Sequence, residues 1–217
     1  MNDAWKSRGR SWFFPLAQWL AAKGAKPDHL TIAGLAFSLV ASLLLGRGSF
    51  LGAAILIGLS GLCDMLDGDV ARVRGAVSRF GAFLDSTLDR IGEGALYAGL
   101  AVYYFTRTQR GAFFVRGAFE GSAEWGDADG ITLGILCLAI LILSFLVSYI
   151  RARAEGLGLE CKVGVMERPE RMLTLAAGTI LGHRFMPGVL GILFILILVT
   201  VLQRVYHVHK LTRTETP

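Results

Sequence analysis

Long runs of apolar residues are the feature that most constrains this chain. The run ITLGILCLAILILSFLVSYI, residues 131–150, carries no charged side chain and no amphipathic stripe. A helix needs about 20 apolar residues to cross the hydrocarbon layer of a bilayer. Because 53% of the 217 residues are hydrophobic and only 18% are charged, the sequence predicts an all-α integral membrane protein and disfavours a large soluble helical core.

Six stretches are long and apolar enough to be predicted as transmembrane helices. They cover approximately residues 30–46, 50–68, 80–105, 131–152, 170–183 and 187–206. An even number of spans places both termini on the same side of the membrane.

The residues before the first span have a different pattern. Aromatic side chains such as Trp12 alternate with basic ones such as Lys6, which predicts an amphipathic helix lying at the membrane interface over 1–25. The predicted organisation is therefore this interfacial helix, a six-helix transmembrane domain over 26–210 and a short cytoplasmic tail over 211–217.

Basic residues are distributed unevenly between the two sides of this predicted topology. Most of the 22 Lys and Arg residues fall in the N-terminal segment, the loops after spans two and four, and the C-terminal segment. Since basic loops stay on the cytoplasmic side, both termini are predicted to be cytoplasmic, in a cell (inner) membrane. The net charge of +5 also suits a surface that faces anionic lipid.

Acidic residues interrupt the apolar pattern at the end of span two and the start of span three. In LCDMLDGDVARVRG, residues 62–75, Asp64 and Asp67 are three positions apart, and Asp85 and Asp89 follow four apart. On helices, each pair lies on one face. If the two spans are antiparallel and joined by a short loop, the four carboxylates converge at that loop.

Converging carboxylates repel each other and are costly in a membrane, where ionisable residues are usually functional. Bound divalent cations remove the repulsion, and oxygen ligands without His or Cys favour Mg²⁺ or Mn²⁺. Two such ions hold the phosphate oxygens of a displacement reaction. Ion pairing is the alternative interpretation, and it suits Asp69 with Arg74 near the interface better than it suits four acids on two matched faces.

Read together, these residues spell D-x2-D-G-x2-A-R-x8-G-x3-D-x3-D. The eight positions are Asp64, Asp67, Gly68, Ala71, Arg72, Gly81, Asp85 and Asp89. This pattern resembles the signature of the CDP-alcohol phosphotransferase family, membrane enzymes of phospholipid synthesis. The resemblance implies transfer of a phosphatidyl group from CDP-diacylglycerol to an alcohol, with release of CMP.

The resemblance also implies roles for individual residues. The implied metal site is made by Asp64, Asp67, Asp85 and Asp89: the first three would ligate two divalent ions, and Asp89 would lie near the metals and act as the general base. The implied CDP-binding residues are Asp28, Thr31, Asp64, Gly68, Ala71 and Arg72. Within this set, Asp28 and Thr31 would lie near the cytidine and Arg72 at the diphosphate.

A second charged stretch, SYIRARAEGLGLECKVGVMERPER, occupies residues 148–171. Its arginines lie at the end of span four and the start of span five. Guanidinium groups bind phosphate in bidentate fashion, so this cluster predicts a phosphorylated acceptor. Lys162 is interpreted as an ordinary loop residue.

The same stretch resembles the bacterial phosphatidylinositol phosphate synthases, a branch of the family that uses inositol 1-phosphate. The resemblance implies an acceptor-phosphate site made by Ser148, Arg151, Arg168, Arg171 and Arg204. Position 151 departs from the expected pattern, because it carries Arg where Lys is usual.

Alternatives remain open at this point. A phosphatidylglycerophosphate synthase would use glycerol 3-phosphate, an ether lipid would replace the diacyl donor, and a channel or carrier would use the acids as an ion path. A homodimer is expected from the family, and small residues along span three, among them Gly92 and Gly99, allow close helix packing within or between protomers. The predicted loop over 106–130 has no assigned role.

Overall fold

The computed structural model describes residues 14–114 and 130–214, and within these ranges the chain forms helices and no strand. The helices are α1 (14–22), α2 (Pro27–Gly46), α3 (Phe50–Val73), α4 (Arg79–Phe114), α5 (Gly130–Gly156), α6 (Arg168–Leu181) and α7 (Met186–Thr214). Part of the predicted interfacial helix, most of the predicted loop over 106–130 and the end of the tail lie outside the described residues.

Four helices have the length and composition needed to cross a membrane. They are Pro27–Gly46, Phe50–Val73, Gly130–Gly156 and Met186–Arg213. Large apolar side chains on them face outward, as lipid-facing residues do: Leu43, Leu51 and Ile142 are all at least 60% exposed. The prediction of an all-α, multi-pass membrane protein is confirmed.

The count of six spans differs from this result at α4 and α6. The start of α4 carries Asp85, Asp89, Arg90 and Glu93, which lower its mean hydropathy. Helix α6 has only 14 residues, so it is about 21 Å long, shorter than the hydrocarbon layer. By length and composition, these two helices do not qualify as spans.

The described residues form two compact units. The first contains the described part of Met1–Ala41 together with Ile55–Leu96, and the second contains Ser42–Ala54 together with the described part of Tyr97–Pro217. The boundaries cut α2, α3 and α4, so each of these helices contributes to both units.

In the first unit, α1 packs on the C-terminal half of α3. Ala17 is fully buried against Leu66 and Val70, whereas Phe14 and Trp19 on the same short helix are exposed. One face of α1 is thus covered by protein and the other presents aromatic residues, as expected of an amphipathic interfacial helix.

In the second unit, α7 packs against both α5 and α6, and it buries Leu190, Leu193 and Ile197. The end of α2 approaches α4 closely, because a Cβ atom at Gly99 would lie 2.3 Å from the carbonyl oxygen of Ser42. Glycine is therefore required at position 99. The close packing predicted for this residue occurs within one chain.

Candidate active site

Three acidic side chains converge in the first unit. Asp64 and Asp67 come from α3 and Asp85 comes from α4, and one carboxylate oxygen from each lies within 4.8 Å of the other two. Asp67 is buried, whereas Asp64 and Asp85 are half-buried. A loop of only five residues, 74–78, joins the two helices. The side-chain spacing and the short connection together produce the convergence expected from the sequence.

The donor atoms of this cluster fit a hard divalent cation. All three groups are carboxylates, and oxygen-only sites suit Mg²⁺ and Mn²⁺ better than zinc. Three carboxylates at this separation repel one another unless positive charge or protons neutralise them. The arrangement is therefore chemically suited to the metal binding predicted for Asp64, Asp67 and Asp85.

Thr31 is connected to this cluster. Its hydroxyl donates a hydrogen bond of 2.8 Å to Oδ2 of Asp67 and also lies 3.2 Å from the carbonyl oxygen of Pro27. A hydrogen bond to a ligating carboxylate fixes the orientation of that carboxylate. The sequence predicted a position near the cytidine for Thr31 and for Asp28, and Asp28 is exposed in the first turn of α2.

Asp89 is not one of the three converging acids. It lies one helical turn beyond Asp85 on α4, is half-buried, and has Oδ2 at 3.9 Å from Nη1 of Arg90. The structure thus brings together three of the four predicted carboxylates at short range. For Asp89, contact with a metal ion and the role of general base stay predictions.

Arg72 at the end of α3 is held by an unexpected partner. Its Nη2 pairs with Oδ1 of Asp69, whose side chain is buried while that of Arg72 is half exposed. The guanidinium lies over Gly68, where an added Cβ atom would be 3.7–3.8 Å from its terminal nitrogens. Ala71, also in the predicted CDP site, is half-buried.

The pairing of Asp69 with Arg74, considered from the sequence, is wrong. Asp69 and Arg72 are three residues apart and share a helical face, whereas Arg74 lies just beyond the end of α3. Its Nη1 instead donates to the carbonyl oxygen of Ala25 at 2.8 Å. Arg74 thus joins the end of α3 to the segment after α1.

In the second unit, two of the predicted acceptor residues are almost completely buried. Arg204 on α7 donates from Nε to the carbonyl oxygen of Val163 at 2.8 Å and from Nη1 to that of Val147 at 2.6 Å. Arg171 on α6 donates from Nη1 to the carbonyl oxygen of Met166 at 3.2 Å. Both guanidinium groups are therefore fixed by backbone carbonyls.

The remaining predicted acceptor residues are more accessible. Arg151 is 42% exposed and pairs with Glu155 at 2.8 Å, and Ser148 is half-buried with its hydroxyl donating to the carbonyl oxygen of Ser144 at 3.2 Å. Arg168 is half-buried at the first position of α6. Arg151 and Arg171 are near enough to Arg204 to act on its charge, so these arginines form one basic cluster.

Segment 157–167, between α5 and α6, carries Lys162. Lys162 and Glu160 are both exposed and form an ion pair of 2.5 Å. Their hydrogen bond lowers the pKa of Glu160 and raises the pKa of Lys162. This exposed pair agrees with the interpretation of Lys162 as a loop residue.

Two residues that the sequence did not single out also shape this cluster. Thr200 on α7 accepts a hydrogen bond of 3.0 Å from the backbone N–H of Met166. Gly164 has φ +134°, and a Cβ atom there would lie 2.5 Å from Cγ2 of Thr200. The available signal was weak: one hydroxyl residue in the apolar run ILILVTVL and one glycine among several.

Comparison with known proteins supports the family resemblance seen in the signature residues. Residues 25–206 match the family described as CDP-alcohol phosphatidyltransferase. The phosphatidylinositol phosphate synthase of Mycobacteroides abscessus is 37% identical over 200 residues, covering 89% of this chain and 82% of that protein. The archaetidylinositol phosphate synthase of Methanothermobacter thermautotrophicus is 36% identical over 185 residues, covering 83% of this chain and 82% of that protein.

Solved structures show the same similarity in three dimensions. The phosphatidylinositol phosphate synthase of Mycobacterium tuberculosis with CDP-DAG bound superposes with a TM-score of 0.72 and 33% identity, covering 90% of this chain and 92% of that one. The same enzyme in complex with manganese and citrate also gives a TM-score of 0.72 at 33% identity, covering 89% and 87%. With its signature residues, its converging carboxylates and a match over most of its length, the chain belongs to the CDP-alcohol phosphatidyltransferase family.

Proposed function

We propose that this enzyme transfers the phosphatidyl group of CDP-diacylglycerol to inositol 1-phosphate, releasing CMP and forming phosphatidylinositol phosphate. The observation that carries the proposal is the convergence of Asp64, Asp67 and Asp85 within 4.8 Å. Relatives named phosphatidylinositol phosphate synthase and a similar structure with CDP-DAG bound support it.

The proposed metal site holds two ions of Mg²⁺ or Mn²⁺. Asp64, Asp67 and Asp85 would ligate them, with Asp89 close by, and the similar structure that contains manganese supports this assignment. When bound, the ions supply positive charge that neutralises the diphosphate of the donor.

The proposed reaction is a displacement at the phosphorus nearest the diacylglycerol. The acceptor hydroxyl oxygen forms a new bond to that phosphorus, and the bond to the bridging oxygen breaks, leaving its electron pair on CMP. Asp89 accepts the hydroxyl proton as general base. Arg72, whose side chain is about half exposed and pairs through Nη2 with Asp69, stabilises negative charge on the diphosphate.

The proposed substrate contacts follow the family pattern. Asp28, Thr31, Gly68 and Ala71 complete the CDP site around Asp64 and Arg72. The proposed site for the acceptor phosphate is made by the basic cluster together with two neighbouring residues: Ser148, Arg151, Arg168, Arg171 and Arg204. In support of this, both buried arginines are rigidly held, which reduces the entropy lost on binding.

The proposed setting is the inner membrane of the cell, with the active site and both termini on the cytoplasmic side. The excess of basic residues in the corresponding segments supports this orientation. We also propose a homodimer, as the family resemblance suggests.

An ether-linked donor is a second candidate substrate. The archaetidylinositol phosphate synthase relative, at 36% identity, favours testing it beside the diacyl lipid. The acceptor and the chemistry would be unchanged.

The test is CMP release by the purified protein with CDP-diacylglycerol and Mg²⁺. Inositol 1-phosphate, free inositol, glycerol 3-phosphate and serine are compared as acceptors, the ether-linked donor is run in parallel, and the Asp85→Asn variant is the inactive control. Release that depends on inositol 1-phosphate is expected. Release only with glycerol 3-phosphate would keep the reaction and overturn the acceptor, and no release with either donor would contradict the proposed function.

A further inference from the structure

Segment 157–167 between α5 and α6 is attached to one face of α7. Thr200, Arg204 and His207 lie four and three residues apart, so they share a helical face. Arg204 binds the carbonyl oxygen of Val163 at 2.8 Å, and Nε2 of His207 lies 3.1 Å from that of Glu160. Because α7 is a long helix packed on α5 and α6, this face is a rigid support for the segment.

Thr200 makes two hydrogen bonds with one hydroxyl group. The hydroxyl donates to the carbonyl oxygen of Leu196 at 2.8 Å and accepts from the backbone N–H of Met166 at 3.0 Å. Thr200 is fully buried and Met166 is buried. Water cannot easily replace the hydroxyl there, so its removal leaves the N–H of Met166 without a partner.

Met166 is next to the start of α6. Its carbonyl oxygen accepts the 3.2 Å hydrogen bond from Arg171, and Glu167, the following residue, is the N-cap of α6 with its carboxylate 4.0 Å from Arg204. A displacement of the Met166 backbone would therefore move the partners of both buried arginines. Thr200 sets the position of that backbone.

Gly164 provides an independent sign that this contact is tight. Its φ of +134° is one that residues with a side chain rarely adopt, and a Cβ atom there would lie 2.5 Å from Cγ2 of Thr200. The backbone of the segment is thus pressed directly against the methyl group of Thr200.

We propose that Thr200 is a positioning residue for the acceptor site: its hydroxyl fixes the Met166 backbone and thereby orients Arg171 and Arg204 toward the acceptor phosphate. Thr200 itself touches no substrate. The inference rests on the proposed function, since it assumes that the basic cluster binds a phosphorylated acceptor.

The test compares Thr200→Val, which keeps the shape and removes the hydroxyl, with Thr200→Ser, which keeps the hydroxyl. Thr200→Val is expected to raise the KM for inositol 1-phosphate about tenfold, the effect of one lost hydrogen bond, with the KM for CDP-diacylglycerol unchanged. Thr200→Ser should restore the wild-type acceptor KM. If the valine variant fails to fold, Thr200→Ala also removes the hydroxyl, together with the Cγ2 methyl group, and places no methyl group in the hydroxyl position.

The matched control is Thr179→Val. Thr179 is also buried, but its hydroxyl only donates to the carbonyl oxygen of Leu175 in its own helix, at 2.7 Å. This variant should leave both KM values unchanged. An unchanged acceptor KM in Thr200→Val, an equal rise in both KM values, or no recovery with serine would overturn the proposal.

Hydrogen exchange at the amide of Met166 provides a second measurement. Faster exchange in Thr200→Val together with a raised acceptor KM supports positioning, whereas faster exchange with an unchanged KM shows a purely structural contact. The wild-type acceptor series separates this inference from the proposed function. If wild type uses only glycerol 3-phosphate, the proposed acceptor fails, and Thr200 is then judged by the KM for that phosphate.

Discussion

The acidic site and the basic cluster place their charges by different means. The three carboxylates lie on two helices that are consecutive in sequence, and helical spacing together with the short loop 74–78 brings them within 4.8 Å of each other. The buried arginines of the basic cluster lie on α6 and α7 and are held by backbone carbonyls of residues 147–166. The acidic site therefore needs cations or protons to relieve its repulsion, while the buried arginines of the basic cluster are held by the protein's own carbonyl groups.

The largest expected effect tests the dependence on cations. EDTA should abolish CMP release, and Mg²⁺ or Mn²⁺ should restore it, because only hard cations suit three carboxylates. Release is measured with and without each metal, and Zn²⁺ serves as the control for a poorly matched ion. Activity that persists in excess EDTA would mean that the carboxylates act without metal.

The next effect separates the three converging acids from Asp89. Asp89→Asn should lower kcat by about 10²–10⁴-fold, as for loss of a general base, and leave the Mg²⁺ concentration for half-maximal activity unchanged. Asp67→Asn, the comparison variant, should change the response to Mg²⁺. If both variants shift the Mg²⁺ response equally, Asp89 is a metal ligand, and if Asp89→Asn keeps full activity the proposed base is wrong.

A smaller effect concerns the hydroxyl of Thr31, which donates a hydrogen bond to Asp67. Thr31→Val should weaken metal affinity by roughly 10–100-fold, because a hydrogen bond that orients a metal ligand is lost. The readout is again the Mg²⁺ titration of CMP release, and Thr31→Ser should recover it. Thr87→Val is the control, since Thr87 is half-buried and its hydroxyl donates to the carbonyl oxygen of Phe83 in its own helix.

A different outcome would return Thr31 to its predicted place near the cytidine. In that case the KM for CDP-diacylglycerol rises and the response to Mg²⁺ does not change.

The smallest effect tests the rigidity of the basic cluster. Arg204→Gln should raise the acceptor KM and also lower the free energy of unfolding by about 2 kcal/mol, because buried carbonyl groups lose their donors. Arg151→Gln should change that free energy by less than about 0.5 kcal/mol, since its pair with Glu155 is exposed. Thermal denaturation in detergent and acceptor kinetics check both variants.

Equal losses of stability in Arg204→Gln and Arg151→Gln would show that burial does not distinguish the two arginines. An equal rise in donor and acceptor KM for Arg204→Gln would remove Arg204 from the acceptor site.

Features set by nearby residues were predictable from the sequence. The three- and four-residue spacings of the acids and the short loop after Val73 predicted their convergence, and long apolar runs predicted the four helices that qualify as spans. The prediction of a span from apolar residues differed from the structure at α4, because the acidic residues at the start of this helix lower its mean hydropathy.

Features set by distant residues were not predictable. Thr31 and Asp67 are 36 positions apart, and Arg204 is 57 positions from Val147. No periodic pattern links such pairs, because tertiary packing alone brings them together. One short-range contact was also not predicted: Asp69 forms an i,i+3 ion pair with Arg72 instead of the pair considered with Arg74.

The hydrogen bonds from Arg171 and Arg204 to backbone carbonyls have a consequence for any attempt to change the acceptor specificity of this enzyme. Arg204 and Arg171 donate to carbonyl oxygens of segment 157–167, so replacing either is expected to destabilise this segment as well as to alter recognition of the acceptor. The side chain of Arg151 is 42% exposed and pairs with Glu155, so we expect its replacement to cost little stability. A mutant library aimed at new acceptors should therefore randomise the more accessible positions, Ser148, Arg151 and Arg168, and keep Arg171 and Arg204 constant.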